Sequence, residues 1–170
     1  MSKAFTRESD DLPEVPAFPR RPSPLPPGAK NYFTPDGAAR LRGELARLAE
    51  EERPRLAAMP ADNDAKRQLQ SLDQKIAHLT QSLESAVVVS RSEAPVDRVR
   101  FGATVTVREQ SGKEARYRIV GVDEADIDRG WISWVSPIAK ALLNARLGER
   151  VAFKFPSGEA VLEVLCINYE

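Results

Sequence analysis

The stretch Leu69-Gln70-Ser71-Leu72-Asp73-Gln74-Lys75-Ile76-Ala77-His78-Leu79-Thr80-Gln81-Ser82-Leu83 sets an aliphatic residue alternately three and four positions after the last. That spacing is the a/d seam of a coiled coil, a single apolar stripe along one helix that needs a partner. The partner lies upstream, where Leu41, Leu45, Leu48, Leu56 and Met59 repeat the pattern more loosely and Glu52 interrupts it. Pro54 lacks an N–H and crowds the turn before it, so a kink in that arm is expected. Between the arms lies Pro60-Ala61-Asp62-Asn63-Asp64. Pro60 ends the first helix, and its ring biases Met59 away from helical dihedrals. Asn63 or Asp64 is the expected cap of the second helix, accepting a hydrogen bond from its free N–H groups. Residues 38–86 therefore read as an antiparallel helical hairpin of about twenty residues per arm, roughly 30 Å long. Periodicity alone leaves open whether the hairpin stands free or sits inside a bundle.

Outward from the hairpin, the two flanks differ. Seven of the thirteen prolines fall between Pro13 and Pro27. Such a segment cannot bury enough apolar surface to offset its ordering entropy, so residues 1–30 read as a flexible tail with polyproline stretches around Pro22–Pro27. Order is expected from Asn31-Tyr32-Phe33, with Thr34 capping the first helix, Pro35 in its first turn and Asp36 at its positive end. Downstream, Val87-Val88-Val89 closes the second helix and Ser90 to Val96 reads as a linker. From residue 97 the pattern turns to period two. Phe101–Val107 and Ala115–Val120 read as strands around the turn Gln110-Ser111-Gly112-Lys113. Trp131–Val135 reads as a third strand, and Glu149–Phe155 and Ala160–Asn168 as a closing pair around Pro156-Ser157-Gly158. A short helix has Ser136 as cap, Pro137 at its first position and Gly148 just beyond its end. The fold class is α+β: a helical hairpin (31–90), then a small, mostly antiparallel sheet with one short helix (97–170). Trp131, Trp134, Phe153 and Phe155 are assigned to that core and its strand faces, the lesser alternative being an aromatic ligand pocket.

Composition narrows the function. Lysine and arginine total 25, aspartate and glutamate 25, and residues 97–170 repeat the balance with 11 of each. A flat balance argues against broad electrostatic binding to nucleic acid, which depends on clustered cations. No apolar run reaches the length of a membrane span, and the N-terminus lacks the apolar core of a signal peptide, so a soluble cytoplasmic protein is expected. Cys166 is the only cysteine. It excludes an intrachain disulfide and a cysteine-rich metal site, and its apolar strand context reads as a core thiol.

Four stretches resemble the bacterial Gre-type transcription elongation factors, GreB-like in character: Asn31–Gly37 continuing to Glu52–Arg55, Phe101–Val105, Tyr117–Asp126, and Ile132 through Ser136-Pro137-Ile138 to Gly148. Together they span most of residues 31–169 in the family's order. The resemblance implies a coiled-coil hairpin followed by an FKBP-like domain. It implies RNA polymerase as partner, with the globular part docking at the rim of the secondary channel and the hairpin entering it. Nucleic acid is then met only within the elongation complex, no membrane is involved, and the factor is a monomer. It also implies that tip acids help hold a magnesium ion at the polymerase active centre, so that backtracked RNA is hydrolysed. The catalytic site is the polymerase's, and the factor is neither an enzyme nor the owner of a cofactor. The family's docking contact maps onto Ser136, Pro137 and the adjoining Ile138, although an acid often precedes that pair where this sequence has Val135.

The tip departs from the family. Its usual Gly-Asp followed by an acidic, Asn-containing turn and a Tyr is missing, and the hairpin is shorter by about a dozen residues, a loss of roughly 9 Å of reach. Asp62 and Asp64 are the candidate tip acids, sharing magnesium only with polymerase, against the plainer reading of helix capping and solvation. Two versions of the function follow: a channel-binding regulator that does not cleave, favoured by hairpin length, and a GreB-like cleavage factor. A prolyl isomerase, suggested only by the FKBP-like fold, is the remote third.

Overall fold

The computed structural model describes residues 25–60, 62–90, 97–155 and 158–169. The proline-rich tail therefore lies outside the described residues up to residue 24. Residues 25–30 carry a turn in which the Ala29 N–H donates to the Pro26 carbonyl at 3.0 Å.

The hairpin forms as its seam requires. Thr34 caps helix α1 (Pro35–Arg47), its hydroxyl accepting from the Gly37 N–H at 3.0 Å. The disturbance expected at Pro54 takes the form of a five-residue π-helical turn just before it, Leu48–Glu52, after which α2 (Arg53–Ala57) continues the arm. The Arg53 N–H reaches back five residues to the Leu48 carbonyl, a widened turn that accommodates a ring with no donor. The return arm, α3 (Asn63–Glu84), is capped by Asp62 rather than by Asn63 or Asp64: Asp62 has extended dihedrals and its Oδ1 accepts from Ala65 N–H at 2.7 Å. Leu41, Leu48, Leu72 and Leu79 are buried between the arms, with Leu45, Leu56, Ile76 and Leu83 packed at their margins. The seam fades distally, where Met59 is 49% exposed. Pairs such as Lys75–Glu44 at 2.6 Å and Arg53–Asp73 at 2.7 Å bridge the arms at the surface, where such pairs contribute little.

At the base the chain departs from the sequence reading. Helix α3 stops at Glu84, and Ala86–Val88 forms strand β2, paired in parallel with β1 (Asn31–Phe33), Phe33 opposite Val88. Val87 and Val88 thus belong to a two-stranded sheet and not to the helix end, as their β-branched side chains favour, and the N–H of Val89 just beyond donates to the Phe33 carbonyl at 2.9 Å. Asn31 secures the corner, donating from Nδ2 to the Ser82 carbonyl and to Ser85 Oγ, both at 3.2 Å.

The second core lies behind a five-stranded sheet of order β5-β4-β3-β7-β6: β3 (Ala103–Glu109), β4 (Glu114–Val120), β5 (Trp131–Ser133), β6 (Arg150–Phe155) and β7 (Gly158–Tyr169). All neighbours are antiparallel except β4 and β5. Val105, Val107, Ile119, Leu162 and Val164 pack on α4 (Pro137–Leu142) through Ile138 and Leu142. That helix ends six residues before Gly148, because Asn144 turns left-handed (φ 69°) and its N–H donates to the Val99 carbonyl at 2.8 Å, drawing the chain into a bridge with the segment before β3. A bulge between Thr106 and Val107 sets Leu165 out of register in β7. Beyond it the alternation of buried residues slips by one, so Cys166 is half-buried and not a core thiol. Trp131 also lies outside the core, half-buried, with the guanidiniums of Arg40, Arg118 and Arg129 at 5.1, 5.2 and 5.2 Å from its ring centre.

Hairpin and sheet meet at a buried acid. Glu124, 1% exposed, accepts at Oε2 from the Thr34 and Gly121 N–H groups, each at 2.9 Å, and at Oε1 from the Thr34 hydroxyl. Its neighbour Asp123 accepts from Ser82 Oγ at 2.6 Å and lies 3.3 Å from His78 Nε2, both on α3. Gly121 is required there by close approach, since a Cβ on it would stand 2.2 Å from the Tyr32 carbonyl oxygen and 2.6 Å from Glu124 Oε2. Gly121→Ala is expected to destabilise the protein by about 2 kcal/mol or more, as overpacking against backbone does. Gly43→Ala, in helix α1 with open space around it, is expected to stabilise by about 0.5–1 kcal/mol. Equal unfolding midpoints for the two variants would show that the joint is not packed this way.

Candidate functional site

Two places carry the residues that the sequence singles out, and they lie on different elements. The first is the start of α4. Strand β5 ends in a turn closed by the Ser136 N–H on the Ser133 carbonyl at 2.9 Å, and Ser136 then caps the helix, its Oγ accepting from the Ala139 N–H at 3.2 Å. Pro137 occupies the first helical position and is exposed. Ile138 does not share that exposure: it is 1% exposed and belongs to the sheet core. The surface here is therefore Pro137 and Lys140 with a half-buried Ser136, and Ile138 acts behind it as the anchor of the helix. Val135 is buried too, so the position before the Ser-Pro pair supplies packing and no charge. Beside it Trp134 meets Tyr32 of β1 edge-on, ring centres 5.3 Å apart, which ties this loop to the base of the hairpin.

The second is the hairpin tip. Asp62 and Asp64 are both exposed, one as the cap of α3 and the other in its first turn. One oxygen of Asp62 is engaged by the Ala65 N–H. Among the described residues, no cluster of three or more His, Cys, Asp or Glu side chains is placed to hold a metal ion. Two carboxylates, one of them committed to capping, leave most of the octahedral positions of a magnesium ion to other ligands.

Sequence reasoning left Glu124 and Asp123 without a role. Their signal was the acid pair placed after Gly121 and the second glycine at Gly37, whose Cβ would collide with Glu124 Oε1. It also missed that arginines converge on one face of the sheet, because a charge sum carries no positions.

The family model described as "Transcription elongation factor, GreA/GreB, C-term" matches residues 94–169, which include the Ser136 turn and α4. A GreB transcription elongation factor of Neisseria meningitidis serogroup B is 38% identical over 154 residues, covering 82% of this chain and 94% of its own length. The chain belongs to the GreA/GreB family of transcription elongation factors. A GreB factor of Pseudomonas aeruginosa is 38% identical over 81% of this chain and 89% of its own length, and a GreA factor of Rhodospirillum rubrum is 36% identical over 81% and 96%. A GreA/GreB structure from Nitrosomonas europaea aligns with 82% of this chain and all of its own, at 23% identity and a TM-score of 0.41. The meningococcal alignment spans 154 residues yet takes in only 82% of these 170 residues, so it occupies more positions in that GreB than here.

The tip of this Gre chain can be tested for its structural duty. Asp62→Ala removes the cap of α3 and is expected to cost about 1 kcal/mol in chemical denaturation, with Asp64→Ala close to neutral. The reverse order would place the cap at Asp64.

Proposed function

We propose that this GreA/GreB-family chain binds RNA polymerase at its secondary channel and regulates elongation without stimulating transcript cleavage. In this reading residues 97–170 are the FKBP-like docking domain, residues 31–90 the hairpin that enters the channel, and the factor carries no catalytic centre or cofactor of its own. The observation that carries it is the tip. Helix α3 has 22 residues, about 33 Å at 1.5 Å per residue, and it begins directly at Asp62, whose carboxylate is spent on the cap. The connection before that cap, Ala58-Met59-Pro60-Ala61, contains no acid in its sequence. A magnesium ion held at roughly 2 Å needs its ligands placed to a fraction of that distance, and a hairpin short by roughly 9 Å does not place them. The excess of aligned positions in the meningococcal GreB accords with an internal shortening of this chain.

Docking is assigned to Ser136 and Pro137. A helix start presents a rigid ring and free N–H groups at the surface, and here it is anchored from below by Ile138. Pro137→Glu is expected to weaken polymerase binding at least about tenfold, with the unfolding midpoint unchanged because the side chain is exposed. Unchanged binding by a folded variant would misplace the docking site.

Halted, backtracked elongation complexes test the mechanism. The wild-type protein is expected to slow elongation and to release no cleaved RNA. Asp62→Asn/Asp64→Asn is expected to act as wild type does. Robust cleavage by the wild type, lost in the double variant, would establish instead a cleavage factor whose tip acids share magnesium with polymerase aspartates.

A further inference from the structure

The five-stranded sheet ends at β6, which has β7 on one side and no strand on the other. Its ladder with β7 has a definite phase. The Val164 N–H donates to the Glu149 carbonyl at 2.9 Å, and from there the bonded pairs of an antiparallel ladder recur every second residue. They fall at Val151–Leu162, Phe153–Ala160 and Phe155–Gly158. The N–H and C=O groups of Arg150, Ala152 and Lys154 therefore point away from β7, along the free edge. Among the described residues these groups meet no main-chain partner.

Side chains of the same strand sort by face. Val151, Phe153 and Phe155 turn toward the core, where Val151 and Phe155 stay half-buried at the margin and the two phenyl rings lie 5.7 Å apart. Arg150, Ala152 and Lys154 turn to the opposite face, and all three are exposed. Each cation has an acid on its β7 flank: Glu163 lies 3.8 Å from Arg150, which stays 74% exposed, and Glu159 stands across from Lys154. The other flank of both cations is the open edge. A second copy of β6 is a poor occupant of that edge. It brings the same Arg-Ala-Lys row to the ladder, so cations meet cations, a device by which edge strands resist self-pairing.

We propose that the β6 edge binds an extended segment of a partner protein in which acidic residues alternate with apolar ones. Such a segment lengthens the sheet by one strand, its main chain pairing with the groups of Arg150, Ala152 and Lys154. A strand spacing of about 4.8 Å sets its acids beside Arg150 and Lys154, which then have an acid on both flanks. Its apolar residues fall on the core side, over the exposed parts of Val151 and Phe155. The main-chain bonds hold the segment, and the alternation selects it. This edge shares no residue with the tip or the start of α4, so it stands or falls apart from the role proposed for them.

Titration of the full chain with an end-blocked Glu-Val-Glu-Val-Glu-Val-Glu peptide, at fixed ionic strength, is expected to show saturable one-to-one binding. Amide exchange at Arg150, Ala152 and Lys154 is expected to slow by about tenfold or more, with Val151 and Phe153 unchanged. The same peptide N-methylated on its glutamates keeps its charge but loses the ladder donors, and it is expected not to bind. Arg150→Gln/Lys154→Gln is expected to weaken binding by about tenfold, with the melting temperature unchanged because both side chains are exposed. No saturable binding, binding that leaves the Ala152 and Lys154 amides unprotected, or equal binding of the N-methylated peptide would overturn the proposal. So would dimerisation of the free protein that protects the same amides, since a second copy would then be the occupant.

Discussion

Burying a carboxyl group is unfavourable unless its oxygens are hydrogen-bonded, and Glu124 meets that condition by joining parts of the chain that are 90 residues apart. Its two oxygens gather the Thr34 N–H and hydroxyl from the start of α1 and the Gly121 N–H from the end of β4. The same Thr34 hydroxyl accepts the Gly37 N–H, so one residue caps the hairpin and fastens it to the sheet. Asp123, one position earlier, holds Ser82 near the end of α3. Consecutive acids therefore grip both arms where they emerge. Any loss at Glu124 leaves buried N–H groups without acceptors, which costs more than the bonds themselves contribute. The direction in which the hairpin projects from the sheet rests on this joint.

Much of the architecture was legible because it follows from periodicity. The leucine seam of α3 and the strand alternation of residues 103–120 are local patterns, and both form as read. What failed were the places where a distant partner decides. Val87 and Val88 after α3 fall in strand β2 only because Asn31–Phe33 lies alongside. Helix α4 stops at Leu142 because Asn144 finds the Val99 carbonyl, 45 residues upstream. Cys166 falls out of the core because a bulge against β3 shifts the alternation within its strand. None of these partners is visible in the windows from which the segments were read.

The candidate site divides in the same way. Ser136 as cap and Pro137 at the first helical position follow from turn chemistry, and the structure keeps both. Exposure does not follow from it: Ile138, one residue on, faces inward because a helix rotates each successive side chain by about 100°. At the tip, capping chemistry was foreseen but placed one or two residues late, since Asp62, Asn63 and Asp64 all suit the role and only backbone dihedrals choose among them. The gathering of Arg40, Arg118 and Arg129 around Trp131 was hidden by the flat charge balance, which sums over the whole volume while the fold decides which residues share a face.

The parallel pairing of β1 and β2 has a geometric corollary. Paired strands lie about 4.8 Å apart, so the chain leaves the base and returns to it at practically one point. Seen from the sheet, everything between Thr34 and Ser85 is a closed excursion whose endpoints are fixed independently of its extent. Matched heptads can be removed from or added to the two arms at the distal end, each pair changing the projection by about 10.5 Å, with no altered boundary condition at the root. The hairpin is in that sense a ruler of adjustable length on an invariant mount.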